Sequence, residues 1–114
     1  MSLNGTRDDF KAALDTVDGV TGYLARPKTP KAGDAWPLWG GGDRDEDTGL
    51  FDDTWSVGVA LPQDETSAND WIDAHLDDIV SALRPVAYVD GRKPANFGTD
   101  TSPVYGLLIT TSRE

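Results

Sequence analysis

Cysteine is absent from this chain of 114 residues. Its absence removes disulfides, thiolate metal sites and thiol nucleophiles, and suits a reducing cytoplasm. Basic residues are scarce, with 10 Lys and Arg against 20 Asp and Glu and a net charge of −10. The densest basic stretch, Arg26, Lys28 and Lys31, is interleaved with Pro27 and Pro30. Phosphate binding relies on clustered cations, so this charge argues against a nucleic-acid or anionic-membrane binding surface. Long apolar runs are missing too. Val104 to Ile109 is too short to span a bilayer, and MSLNGTRDDF has neither the basic nor the apolar region of a signal peptide. The expectation is a soluble protein made and used in cytoplasm, with no membrane partner.

What is present suffices for one folded domain. A chain of this length can bury a single modest core, and four Trp, three Tyr and three Phe supply large apolar areas to it. The acidity reads either as solubility or as a surface past which nucleic acid slides without sticking.

Hydrophobic periodicity orders the elements. Thr6 and Asp9 form a helix-start signature, and Phe10, Ala13, Leu14 and Val17 recur at one-face spacing until Asp18-Gly19. Val20 to Arg26 reads as a strand. Residues 27–51 hold three Pro, five Gly and the acidic run Asp43 to Asp47 and read as a long, weakly structured loop. Within it, Ala35 to Trp39 alone is apolar enough for a strand, which Pro37 confines to an edge or a bulge.

Thr54 to Leu61 alternates strictly, with Trp55, Val57, Val59 and Leu61 on one face. Ser67 and Asp70 open a helix over 67–84 with a stripe of Ile72, Leu76, Ile79, Val80 and Leu83, ended by Arg84-Pro85. Val86 to Asp90 reads as a strand with a hairpin turn at Asp90-Gly91, and Val104 to Thr111 as the last, central strand. The fold class is α+β: one small domain, 1–114, with a mixed or antiparallel sheet of four to five strands against two helices. The order is helix-strand-strand-strand-helix-strand-strand.

Each candidate for chemistry has a plainer explanation beside it. Asp43, Asp45 and Asp47 imitate the start of a calcium-binding EF-hand loop, but Thr48 stands where Gly is required and Thr54 where Glu is required. A solvated acidic loop accounts for them better, and no metal is assigned. Gly40-Gly41-Gly42 lacks the Gly-Lys-Ser/Thr ending of a phosphate cradle and runs into carboxylates, so a flexible turn is expected. His75, the one histidine, flanks the apolar stripe with Trp71, where a structural histidine is the ordinary case, and no nucleophile turn is present. No catalytic residue or cofactor is assigned.

Trp36, Leu38 and Trp39 remain, beside Pro37 and the three glycines. Tryptophan in such a segment either pins it to the core or anchors a partner. Together with Asp43, Asp45 and Asp47 they form the candidate assembly-interface loop.

Several phrases resemble the tail terminator (tail completion) proteins of long-tailed phages infecting actinobacteria. They are Trp36-Pro37-Leu38-Trp39-Gly40-Gly41-Gly42 before an acidic loop, the strand Asp53 to Ala60, the helix start Ser67 to Asp73 with Trp-Ile-Asp, Val89-Asp90-Gly91-Arg92, and the closing strand Val104 to Ile109. The likeness spans about residues 35–112, and the first helix agrees in type only.

The resemblance implies a structural virion protein at the neck end of the tail, assembled in the host cytoplasm. It implies a homo-oligomeric ring, generally hexameric, that caps the tail tube, stops its polymerisation and presents a surface to the head-tail connector protein. DNA would pass through without being specifically bound, and acidic lumen-facing residues would suit that passage. The alternatives are another neck component, a stopper or adaptor, or a cytoplasmic non-viral binding module.

Overall fold

The computed structural model describes residues 3–44, 51–98, 101 and 103–112. The elements are α1 (Leu3–Leu14), β1 (Thr21–Gly22), β2 (Asp34–Arg44), β3 (Phe51–Ala60), α2 (Glu65–Leu83), β4 (Tyr88–Asn96) and β5 (Tyr105–Ser112). They form one five-stranded mixed sheet in the order β1-β2-β3-β5-β4, with β1 parallel to β2 and the other pairs antiparallel. β5 inserts between β3 and β4, so β3, α2 and β4 make a split β-α-β unit. The α+β class and the element order are those the periodicity predicts.

Both helices cover one face of the sheet. Phe10 and Leu14 from α1 and Ile79 and Leu83 from α2 are fully buried against Trp55, Val57, Val59 and Ile109. The opposite face is partly covered. Trp36 is fully buried there, edge-on to Phe97 with ring centroids 5.0 Å apart. Glycines make this possible, because a Cβ on Gly58 would sit 2.8 Å from the Trp36 indole.

Several boundaries differ from expectation for local reasons. α1 begins at Leu3, so Thr6 lies inside the helix, and Val17 follows in a turn. The strand expected over Val20 to Arg26 shrinks to Thr21–Gly22. Tyr23 N–H still donates to Ala35 O, but strand alternation makes Pro37 the next ladder donor towards β1, and Pro37 has no N–H. The parallel ladder stops there.

The segment expected to be weakly structured is largely strand. Residues 34–44 form β2, and only 45–50 lie outside the described residues. β2 pairs with β3 from Ala35↔Val59 to Trp39↔Trp55, and again from Gly42↔Asp53 to Arg44↔Phe51. α2 is capped three residues earlier than expected, with Asp64 accepting from Ser67 N at 2.9 Å. Asp90-Gly91 is a bulge within β4 and not a hairpin turn, because the strand continues to Asn96 and pairs with β5 throughout.

The turn into α2 is held by one side chain. Gln63 donates to Leu61 O (2.6 Å) and Tyr105 O (3.2 Å) and accepts from Tyr105 N (2.9 Å), filling the place of a further strand residue. Gln63→Ala is expected to cost about 1–2 kcal/mol, read as a lowered melting temperature. Gln63→Glu should cost more, since a carboxylate would face two carbonyl oxygens.

Two carboxyls tie stability to pH. Asp15 is held below the usual carboxylate range, chiefly by the hydrogen bond from Lys11 at 2.7 Å and then by Gly22 N–H. Asp64 is lowered by the backbone N–H and hydroxyl of Ser67. Both are depressed in the folded state, so their contribution is complete above the ordinary carboxylate value and disappears as pH falls through the folded values. Melting curves from neutral to strongly acidic pH should show a shallower acid limb for Asp15→Asn with Asp64→Asn than for the parent.

Candidate functional site

β5 pairs with β3 only from Trp55 to Ala60, whereas the β2–β3 pairing continues to Arg44↔Phe51. The far halves of β2 and β3 therefore form a two-stranded arm running past the rest of the sheet. At its root the register shifts between Trp39 and Gly42, where two glycines stand against Thr54. Gly41 takes φ +92, and Thr54 Oγ1 donates to Gly41 O at 3.2 Å. A glycine in the left-handed region is what such a bulge uses. The triplet Gly40-Gly41-Gly42 thus shapes a strand, where a flexible turn was expected.

The candidate loop residues separate along this strand. Trp36 is fully buried on the face away from the helices, so it takes the packing role. Leu38 is half-buried on that same face. Trp39 turns to the helix face, is 48% exposed, and donates from Nε1 to Asp53 Oδ1 at 3.1 Å. Asp43 lies in the arm opposite Asp52, whereas Asp45 and Asp47 lie outside the described residues. Among the described residues no group of three or more His, Asp or Glu side chains could hold a metal ion.

His75 is held as a packing residue. Its ring stacks on Trp71 with centroids 4.3 Å apart, and Nδ1 lies 2.9 Å from Trp71 O. Its other edge meets the α1–β1 turn, where a Cβ on Gly19 would sit 2.8 Å from Nε2. Asp73, Asp77 and Asp78 are exposed on α2.

Sequence reasoning missed a second surface, at the corner where α2 passes into β4. An open cleft of about 880 Å³ lies there, lined by Val80, Arg84, Pro85, Val86, Ala87, Tyr88 and Val89. Tyr88 is 69% exposed beside it. The signal was in the alternation: if Val89 faces the helices, Tyr88 must face away from them on an edge strand. Arg84, Arg92 and Lys93 are exposed along the same flank.

No protein-family model matches the chain, and no curated protein is significantly similar to it. Among the described residues no helix is long and apolar enough to cross a membrane.

Proposed function

We propose that this chain is a tail terminator: a non-catalytic α+β subunit of a ring that caps a phage tail tube, stops its growth and offers a surface to the head connector. The sequence resemblance suggests the reading, and the observation that carries it furthest is the β2–β3 arm. An element that leaves its own sheet, with an exposed Trp39 at its root, suits a subunit that must reach a neighbour. Indole side chains are favoured anchors at protein contacts. The acidic balance supports the same reading, since a lumen that releases DNA should not hold phosphates.

The test is electron microscopy and light scattering of the purified protein, alone and with tail-tube protein, together with deletion of its gene in the phage. Rings on tube ends, and overlong tubes without the protein, are expected. A monomer that ignores tubes and whose loss leaves tail length unchanged overturns the reading. Tails of normal length that fail to join heads would assign the chain to a stopper or adaptor instead.

A further inference from the structure

We propose that copies of this chain associate flank to flank, with Trp39 at the β2 edge of one copy seated in the cleft beside Val89 at the β4 edge of the next. This rests on the ring reading above and names the surfaces that would build it. The cross-strand register carries the inference. Trp39 stands opposite Trp55, Trp55 opposite Thr111, and Thr111 opposite Val89. Directly paired residues share a sheet face, so Trp39 and Val89 end one row on the same face. Three strand spacings separate them, about 14 Å.

Both ends of the row are open. β1 pairs with β2 only at Asp34 and Ala35, so nothing in the described sheet lies beyond Trp39, and β4 is the other edge. One flank presents a half-exposed indole and the other an open corner, where Val80, Val86 and Val89 stand beside Arg84, at the same height. A knob and a hole on opposite flanks make a heterologous contact, which closes into a ring when each copy is rotated from the last.

Charge selects the same pairing. The exposed Asp53 carboxylate stands beside Trp39, whereas the β4 flank carries the exposed Arg84, Arg92 and Lys93 against Asp90. A carboxylate beside the knob and a cationic cluster beside the hole favour this pairing, since complementary charges set register and orientation. Main-chain pairing between the flanks is hindered, because Pro37 and Pro94 both fall where an outward N–H would point. Side chains must then carry the contact.

The lack of native cysteine makes the test clean. Trp39→Cys and Val89→Cys proteins are mixed and oxidised with oxidised glutathione. Cross-linked heterodimers are expected from the mixture, no homodimers from either variant alone, and a ladder of oligomers from the double variant. As a second readout that leaves Trp39 in place, Asp53→Lys and Arg92→Glu should each lose ring formation, and an equimolar mixture should regain it.

Homodimers of the Trp39→Cys variant would indicate a two-fold contact and overturn the inference. Rings seen by microscopy with no cross-link and no charge rescue would overturn it while leaving the ring reading intact. Absence of rings and cross-links together would overturn both.

Discussion

Replacing Trp36 by alanine is expected to destabilise the domain by about 3–5 kcal/mol, the range for removing a large buried aromatic side chain. Trp36 is fully buried, and its indole lies across Gly58 and against the Phe97 ring, so its loss empties the centre of the second packed layer. One atom works against it. Trp36 Nε1 is buried and finds no acceptor among the described residues, and a buried unsatisfied donor costs about 1–3 kcal/mol. Trp36→Phe should therefore be far milder than Trp36→Ala. Urea unfolding followed by circular dichroism distinguishes the two. An alanine variant as stable as the parent would mean that this layer contributes nothing to the fold.

A second large effect is expected at Gly106. A Cβ there would press into the Phe97 ring and sit 2.5 Å from the Val59 carbonyl oxygen. Phe97 can swing away, but the Val59 carbonyl belongs to the central strand β3 and cannot. Gly106→Val should cost 3 kcal/mol or more, roughly the upper range for overpacking plus a displaced strand. It should also expose Trp36, which is read as a red shift in tryptophan emission.

Gly41 provides the contrast. A Cβ there would meet nothing within 4 Å, so Gly41→Ala is penalised only by its φ of +92, about 1–2 kcal/mol. If the two substitutions cost the same, the crowding at Gly106 is not what decides its effect.

The parts of the fold that follow from hydrophobic period were legible in the residues. Trp55, Val57, Val59 and Leu61 alternate and are buried, and the Ile79–Leu83 stripe of α2 meets the sheet. The parts set by what a strand pairs with were not. Val20 to Arg26 has strand-like composition, yet its partner offers Pro37 where a donor is needed, and most of the segment stays unpaired. Gly40 to Gly42 and Asp90-Gly91 look like turns because glycine marks both turns and bulges, and only a partner strand decides between them.

The candidate site was legible in the same uneven way. Trp36 and Trp39 stand three residues apart in the short strand expected over Ala35 to Trp39, so parity separates their faces. Which face lay under the helices depended on a pairing with β3 that the loop-like surroundings concealed. The Tyr88 corner depends on where β4 runs, which the false turn at Asp90 concealed.

The β2–β3 hairpin spans two environments, and its amide protons should record the boundary. Between Ala35 and Trp39 it lies in a multi-stranded sheet over the core, and exchange there should require global opening. Between Gly42 and Arg44, opposite Phe51 to Asp53, it is a bare two-stranded ribbon, and such ribbons are marginal in water. That half should exchange by local fraying, with the Gly41 bulge as the dividing line. A neighbouring copy that grips the arm would quench this fraying, so deuterium uptake at residues 42–44 becomes a direct readout of assembly.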